Sequence, residues 1–265
     1  MIPRVIPRVL TPDLQVLQQV FDRKYGPLDQ CGWGPRMRHA QGHFSPDDWY
    51  EALMAQLVRP GVRWLDVGCG RELFPSNREL ARILSARCEH LTGLDPDPTL
   101  AENPYVHERV AAPMDQWDGQ GRFDLVSLRM VAEHVTDPAA VVAAVDRALA
   151  PGGVAVVYTV FGWSPAPLVT RLVPMGLRHR LKRWLWGTEE KDTFPTTFRM
   201  NTRGRLRTLF ARHGMREERF LRLDDCRTFA RFRVLLALEL VLLRACALVR
   251  MPYPEHCLLG VYRKP

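Results

Sequence analysis

Two carboxylates and two glycines at fixed spacing carry the first chemical signal in this chain. Asp66 lies near the end of the apolar run Trp64-Leu65-Asp66-Val67, and Gly68-Cys69-Gly70 follows directly. A second acid, Asp95, closes the next apolar run at Gly93-Leu94-Asp95. A buried strand that turns sharply at glycines lets the backbone approach a ligand closely. An acid at the end of the following strand is placed to accept hydrogen bonds from a ribose hydroxyl pair. The pattern reads as a nucleoside-cofactor site. A dinucleotide site wants a third glycine, so that a helix N-terminus can hold the pyrophosphate. Here no glycine stands near position 73, and Glu72 sits in the turn. An acid there repels a pyrophosphate but tolerates a cation. S-adenosylmethionine, with its sulfonium and ammonium groups, fits these acids better than NAD does.

The elements that must position these residues follow from periodicity. Residues 11–25 read as an amphipathic helix, and Gly26 to Gly42 as irregular, Gly/Pro-rich chain. Ser45 N-caps a helix from Pro46 to about Leu57. Val62–Val67 is the first strand. Ser76 with Glu79 fits a capping box opening a helix to about Ala86. Strands are expected at His90–Leu94, Val106–Val110, Phe123–Leu128 and Val154–Thr159, with a helix over Pro138–Leu149. Alternating apolar strands and helices imply a parallel sheet covered on both faces. A helix over Thr202–His213, a strand over Met215–Leu223, a long apolar helix over Thr228–Arg250 and a last strand over His256–Tyr262 complete the chain.

Five motifs occur in order: Asp-Val-Gly-Cys-Gly at 66–70, Gly-Leu-Asp at 93–95, Phe-Asp-Leu-Val at 123–126, Glu-His-Val at 133–135 and Leu-x-Pro-Gly-Gly at 149–153. Together they resemble the class I SAM-dependent methyltransferases, in particular the small-molecule, type 11/23-like group, over about residues 61–160. The resemblance implies an α/β, Rossmann-like seven-stranded sheet, mostly parallel with an antiparallel C-terminal strand. Helices would cover both faces, and a helical lid would be inserted. Residues 1–60 would be an N-terminal helical cap, 61–160 the SAM-binding core, 161–201 the lid, and 202–265 the completion of the sheet.

The resemblance also assigns roles. Gly68, Cys69 and Gly70 would pass the methionine part of S-adenosylmethionine, with Asp66 supporting the turn and the amino group. Asp95 would bind the ribose, with Pro96 against the adenine. Ala111 and Ala112 fall near the adenine loop. Arg129 and Met130 would lie near the methionine part and the methyl group. Two departures stand out: Glu72 replaces the third glycine, and the adenine loop lacks its usual acid unless Asp115 serves.

Methyl transfer from a sulfonium is an in-line displacement, so holding the acceptor in line supplies much of the acceleration. A base is needed only where the acceptor must lose a proton. His134, just after strand four, is the candidate base, and Glu133 would orient Arg129 or the cofactor. Tyr25, Arg36, His39 and His43 lie in the segment that folds over the cofactor in the family. Trp163, Trp184, Trp186, Phe194 and Phe198 could wall an acceptor pocket, with Arg199 and Arg203 holding an anionic group. The expected acceptor is a small molecule with an oxygen or sulfur nucleophile. A thiol or sulfide and a glycan or lipid-linked sugar remain open alternatives.

Composition narrows the surroundings. Residues 1–160 hold 16 basic and 20 acidic residues, net −4, whereas residues 161–265 hold 21 and 9, net +12. The basic half should face an anionic partner, or merely solvate the surface. A nucleic-acid substrate is not expected. Strand four ends Ser127-Leu128-Arg129-Met130 rather than in an Asn/Asp-Pro-Pro-Tyr run, and no RNA-binding module is present. Six cysteines without a CxxC pair argue against a zinc site or a disulfide framework. No metal is expected, and no run of about twenty apolar residues suggests a spanning helix. A reducing cytoplasm is the expected compartment, with peripheral membrane contact through the stretch 177–186 or the helix 228–250, burial of that helix, or a homodimer as the options.

Overall fold

Strands β1 (Arg63–Val67), β2 (His90–Leu94), β3 (Glu108–Val110), β4 (Phe123–Arg129), β5 (Leu149–Val160), β6 (Arg216–Asp224) and β7 (His256–Arg263) form one sheet in the order β3-β2-β1-β4-β5-β7-β6. The computed structural model describes residues 6, 11–119, 122–172 and 195–265. Pairings among β1 to β5 are parallel, and β7 runs antiparallel to both β5 and β6. Side chains alternate across the sheet, as the pleat requires. Trp64, Leu125, Val154, Val156 and Tyr158 face one core cluster, whereas Leu65, Val126, Leu128, Ala155 and Val157 face the other.

Helices cover each face. The first cluster is closed by α1 (Leu14–Tyr25), α3 (Pro46–Leu57) and α4 (Arg78–Arg87). The second is closed by α5 (Pro138–Ala148) and, after α6 (Pro165–Leu172), by α7 (Arg203–Ala211). Ser45 and Asp48 form the capping box that starts α3, with Pro46 in its first turn. This is the expected stop-and-start chemistry at that position.

Two local expectations need correction. The cap of α4 is Asn77, not Ser76: the Asn77 Oδ1 accepts from the Leu80 amide at 3.2 Å. Its Nδ2 donates to Glu51 at 2.8 Å, tying α4 to α3. Glu79 pairs with Arg82 instead of closing a box. The second correction lies in the Gly/Pro-rich stretch, where residues Trp33–Ala40 form α2. Trp33 and Met37 pack there against α8 (Arg233–Leu248), so tertiary contact overrides the weak local propensity. The expected long helix over 228–250 is thus shorter, and only one of its faces is buried.

Candidate functional site

The chain runs from β1 outward through β2 to β3, then returns to place β4 on the other side of β1. This reversal opens a crevice at the carboxyl ends of β1, β2 and β4, the position where open α/β sheets bind ligands. A cavity of about 800 Å3 lies there, with Gly68–Gly70 on one side, Asp95 and Pro96 on the next and Arg129, Met130, Glu133 and His134 opposite.

The two glycines of the turn have different reasons. Gly68 has φ +68°, and a Cβ on it would lie 2.3 Å from Val131 Cγ2. Its bareness lets β1 end hard against the loop after β4. Gly70 has φ +47°, yet a Cβ there would meet nothing nearer than Asp95 Oδ2 at 3.9 Å. Its amide donates to that same Oδ2 at 2.8 Å, and the Asp97 amide donates to Oδ1 at 2.8 Å. Two backbone donors therefore fix the Asp95 carboxylate at the cavity wall. Asn103 supports the turn from behind, its Nδ2 donating to the Gly70 carbonyl at 3.0 Å.

Asp66 sits behind the wall rather than on it. It is buried and accepts from the Ser127 hydroxyl, which in turn accepts from Trp64 Nε1 at 2.6 Å. Burial pushes its carboxyl up to about 7, against the lowering effect of the Ser127 bond. Its carboxylate thereby ties the end of β1 to β4.

Arg129 is held by a partner the sequence did not suggest. Its Nη2 donates to Asp47 Oδ1, on the first turn of α3, at 3.2 Å. Asp47 also accepts from the Tyr158 hydroxyl at 3.1 Å and from Arg227 Nη1. Arg227 forks onto Asp225 at 2.7 and 2.8 Å. Burial alone would raise the Asp47 carboxyl, but Arg227 and Arg129 hold it well below the usual carboxylate range. The Arg129 Nε is buried and has no acceptor among the described residues. The Glu133 carboxylate accepts from Thr159 Oγ1 at 2.7 Å, and its carbonyl accepts the amides of Thr197 and Phe198. Glu133 thereby fastens the segment after residue 195 beside the cavity.

His134 lies on the cavity wall and its Nδ1 is 3.1 Å from the Pro195 carbonyl. A carbonyl only accepts, so Nδ1 carries the hydrogen, and in the neutral ring the lone pair sits on Nε2.

The other described candidates, Glu72 apart, lie elsewhere. Ala111 and Ala112 follow β3 and are not among the cavity-lining residues. Tyr25 and His39 pack around Phe21, with His39 Nε2 bonded to Gln18 at 2.6 Å. Arg36 donates to the carbonyls of Asp29 and Cys31. Burial, aided by Arg38, pulls His43 down to about 4, so this ring is neutral at physiological pH. Trp163 is 61% exposed. Arg199 donates to the Thr136 carbonyl, and Arg203 pairs with Glu217. Phe194, Trp184, Trp186 and the stretch 177–186 lie outside the described residues. Glu72 is ion-paired with Arg78 at the cavity, so its repulsion of a pyrophosphate is weaker than its bare charge suggests.

The sequence profile described as a methyltransferase domain matches residues 37–216, which include every wall of this cavity. The chain belongs to the methyltransferase domain family. Among curated relatives, the chain is 31% identical to a ubiquinone biosynthesis O-methyltransferase of Xanthomonas campestris pv. campestris over 146 residues, covering 48% of this chain and 58% of the relative. It is 31% identical to the enzyme of the same name from Rhodopseudomonas palustris over 148 residues, covering 51% and 53%. The match thus spans about half the length of these relatives. Among solved structures, an S-adenosylmethionine-dependent methyltransferase from Mesorhizobium loti superposes with a TM-score of 0.54 at 23% identity, covering 82% of this chain and 98% of that one. That likeness supports the class I methyltransferase fold.

The residues present fit the family's cofactor. Asp95, held by two amides, keeps acceptor capacity on both oxygens for a hydroxyl pair. Gly70 leaves room that a side chain would fill. The orphaned Nε of Arg129 offers a buried donor to a carboxylate.

Proposed function

We propose that this methyltransferase transfers a methyl group to the hydroxyl of a small-molecule acceptor, with His134 taking the hydroxyl proton. The observation that carries this reading is the hydrogen bond from His134 Nδ1 to the Pro195 carbonyl, which fixes the tautomer with its basic nitrogen at Nε2. Bound S-adenosylmethionine supplies a methyl group on a good leaving group. Its sulfonium would leave as a neutral thioether, and Nε2 of His134 would take the proton that the acceptor oxygen loses on gaining the methyl. Asp95 would hold the ribose, Gly68–Gly70 would give the backbone room, and Arg129 would hold the carboxylate of the methionine part. The names of the curated relatives favour an oxygen acceptor over sulfur.

Incubation of the purified protein with labelled S-adenosylmethionine and a panel of phenols, sugars, thiols and lipid extracts tests the reading. Label should appear on a hydroxyl. In His134→Ala, turnover should fall by roughly a hundredfold or more, the ordinary contribution of a general base. Cofactor affinity should stay nearly unchanged, because the imidazole acts on the acceptor. Transfer confined to thiols, or wild-type turnover in the variant, removes the hydroxyl reading and the base respectively.

A further inference from the structure

Helix α8 has two apolar faces, and the described residues pack against only one of them. Leu236, Leu240 and Cys246 are buried with Cys226 and Tyr253 in a small cluster of their own. On the opposite side Val234, Leu238, Val241, Leu242 and Leu248 are between 49 and 86% exposed. Their spacing of 4, 7, 8 and 14 residues from Val234 puts them on one stripe. At 1.5 Å per residue the stripe is roughly 20 Å long. Contiguous exposed apolar surface of this kind marks an interaction site rather than ordinary surface.

The charges around the stripe say what kind of site it is. Between residues 226 and 254 the sequence has five arginines and a single acid, Glu239. Arg227 turns inward to Asp47 and Asp225. Arg231, Arg233, Arg244 and Arg250 are exposed. Glu239 is buried, accepting from the Tyr253 hydroxyl at 3.2 Å and the Phe229 amide at 3.3 Å. The only carboxylate of the segment is therefore spent inside, and the exposed charge is all positive. An apolar stripe bordered by arginines is complementary to an anionic lipid surface. A self-paired dimer would instead place like charges against one another. At 16 residues α8 is too short to span a bilayer.

Topology gives the stripe a meaningful place. β6 runs parallel to β1–β5 and β7 runs back, so the segment between them leaves and re-enters the sheet at its carboxyl edge. That is the edge on which the cavity opens. Arg227, at the root of α8, shares Asp47 with Arg129 of the cavity wall.

We propose that the exposed stripe of α8 docks this protein on anionic membrane surfaces, lying in the interface and turning the cavity edge of the sheet toward the lipid. The proposal does not depend on the identity of the acceptor. Flotation of the full chain with vesicles of phosphatidylcholine, with and without phosphatidylglycerol, tests it. Binding should need the anionic lipid and weaken as salt rises. Arg244→Glu should lower partitioning by roughly tenfold, the effect of reversing one charge near the surface. The double variant Leu238→Glu, Val241→Glu should abolish flotation while keeping the wild-type thermal unfolding temperature and cofactor affinity, since both side chains are exposed. Flotation unchanged in that variant overturns the proposal. So does a protein that fails to float with anionic vesicles, whether it sediments as a monomer or as a dimer held by α8.

Discussion

Replacing Asp47 with alanine is expected to destabilise the fold by about 3 kcal/mol, at the lower end for breaking a buried ion pair. The carboxylate is 11% exposed and faces Arg129 and Arg227, themselves only 21 and 29% exposed. Removing it leaves two largely buried guanidinium groups and the Tyr158 hydroxyl without their shared acceptor. The residual exposure of the arginines lets water relieve part of the cost, hence the lower end. For a chain of this size the loss corresponds to a fall of roughly 6–12 °C in Tm. Asp47→Asn keeps the volume and one acceptor oxygen, and should fall between wild type and alanine. A Tm within a degree or two of wild type in the alanine variant would show that the network contributes nothing.

The same carboxyl sets a pH signature. Its folded-state value lies below that of the unfolded chain, since its two arginines outweigh the effect of burial. Its contribution is therefore complete above the ordinary aspartate range, near 4, and is lost as pH falls from there toward the folded value. Wild-type stability should decline across that acid window more steeply than that of the Asp47→Ala variant, which lacks the group. Parallel pH profiles would remove Asp47 from the acid response.

Asp47 also marks the limit of what the sequence discloses. Its neighbours Ser45, Pro46 and Asp48 spell a helix start, and the helix forms where expected because capping is local chemistry. The partners of Asp47 lie 82 and 180 residues away. No periodicity or motif encodes a contact of that span; in the sequence alone Asp47 is only a charge near a helix start. The strands were legible for the opposite reason. Runs such as Trp64–Val67 and Leu125–Leu128 are apolar on both faces apart from Asp66 and Ser127, which hydrogen-bond to each other, and burial inside a covered sheet is written in those consecutive residues. The turn was legible in its glycines but not in their separate reasons. Only the approach of Val131 shows that Gly68 serves chain packing, while Gly70 opens onto Asp95. Helix α2 was hidden because Gly32, Gly34 and Pro35 weaken any local signal, and its stabilising partner is α8, some two hundred residues on. The acceptor-facing candidates of the N-terminal segment failed to gather at the described cavity for a related reason. Tyr25 and His39 are amphipathic side chains that the packing of α1 against α2 and α3 can use equally well.

Asp95→Ala is expected to weaken S-adenosylmethionine binding by about a hundredfold, corresponding to the loss of one or two hydrogen bonds to a charged acceptor. A carboxylate has about four acceptor positions. The amides of Gly70 and Asp97 each occupy one, on different oxygens. The remaining capacity matches two hydroxyl donors on adjacent carbons. An asparagine at this position retains one oxygen and presents an amino group to one of the two backbone donors. Asp95→Asn should therefore be impaired by about tenfold, through one lost hydroxyl bond and a disturbed turn. Two explanations of such losses must be separated, since alanine also frees the Gly70 amide. Direct recognition makes the loss specific to the ribose: a 2′-deoxy cofactor analogue should bind the wild type more weakly than S-adenosylmethionine, and the two should bind Asp95→Ala alike. Collapse of the turn instead predicts that the variant loses affinity for both by the same factor, with the difference between them preserved. The coupling between ligand hydroxyl and side chain, measured by titration calorimetry over the four combinations, decides between them. Wild-type affinity in Asp95→Ala would sink the assignment altogether. Coupling near zero would leave Asp95 as the clamp that holds Gly70 in its left-handed turn, and would move recognition of the ribose to another part of the cavity wall.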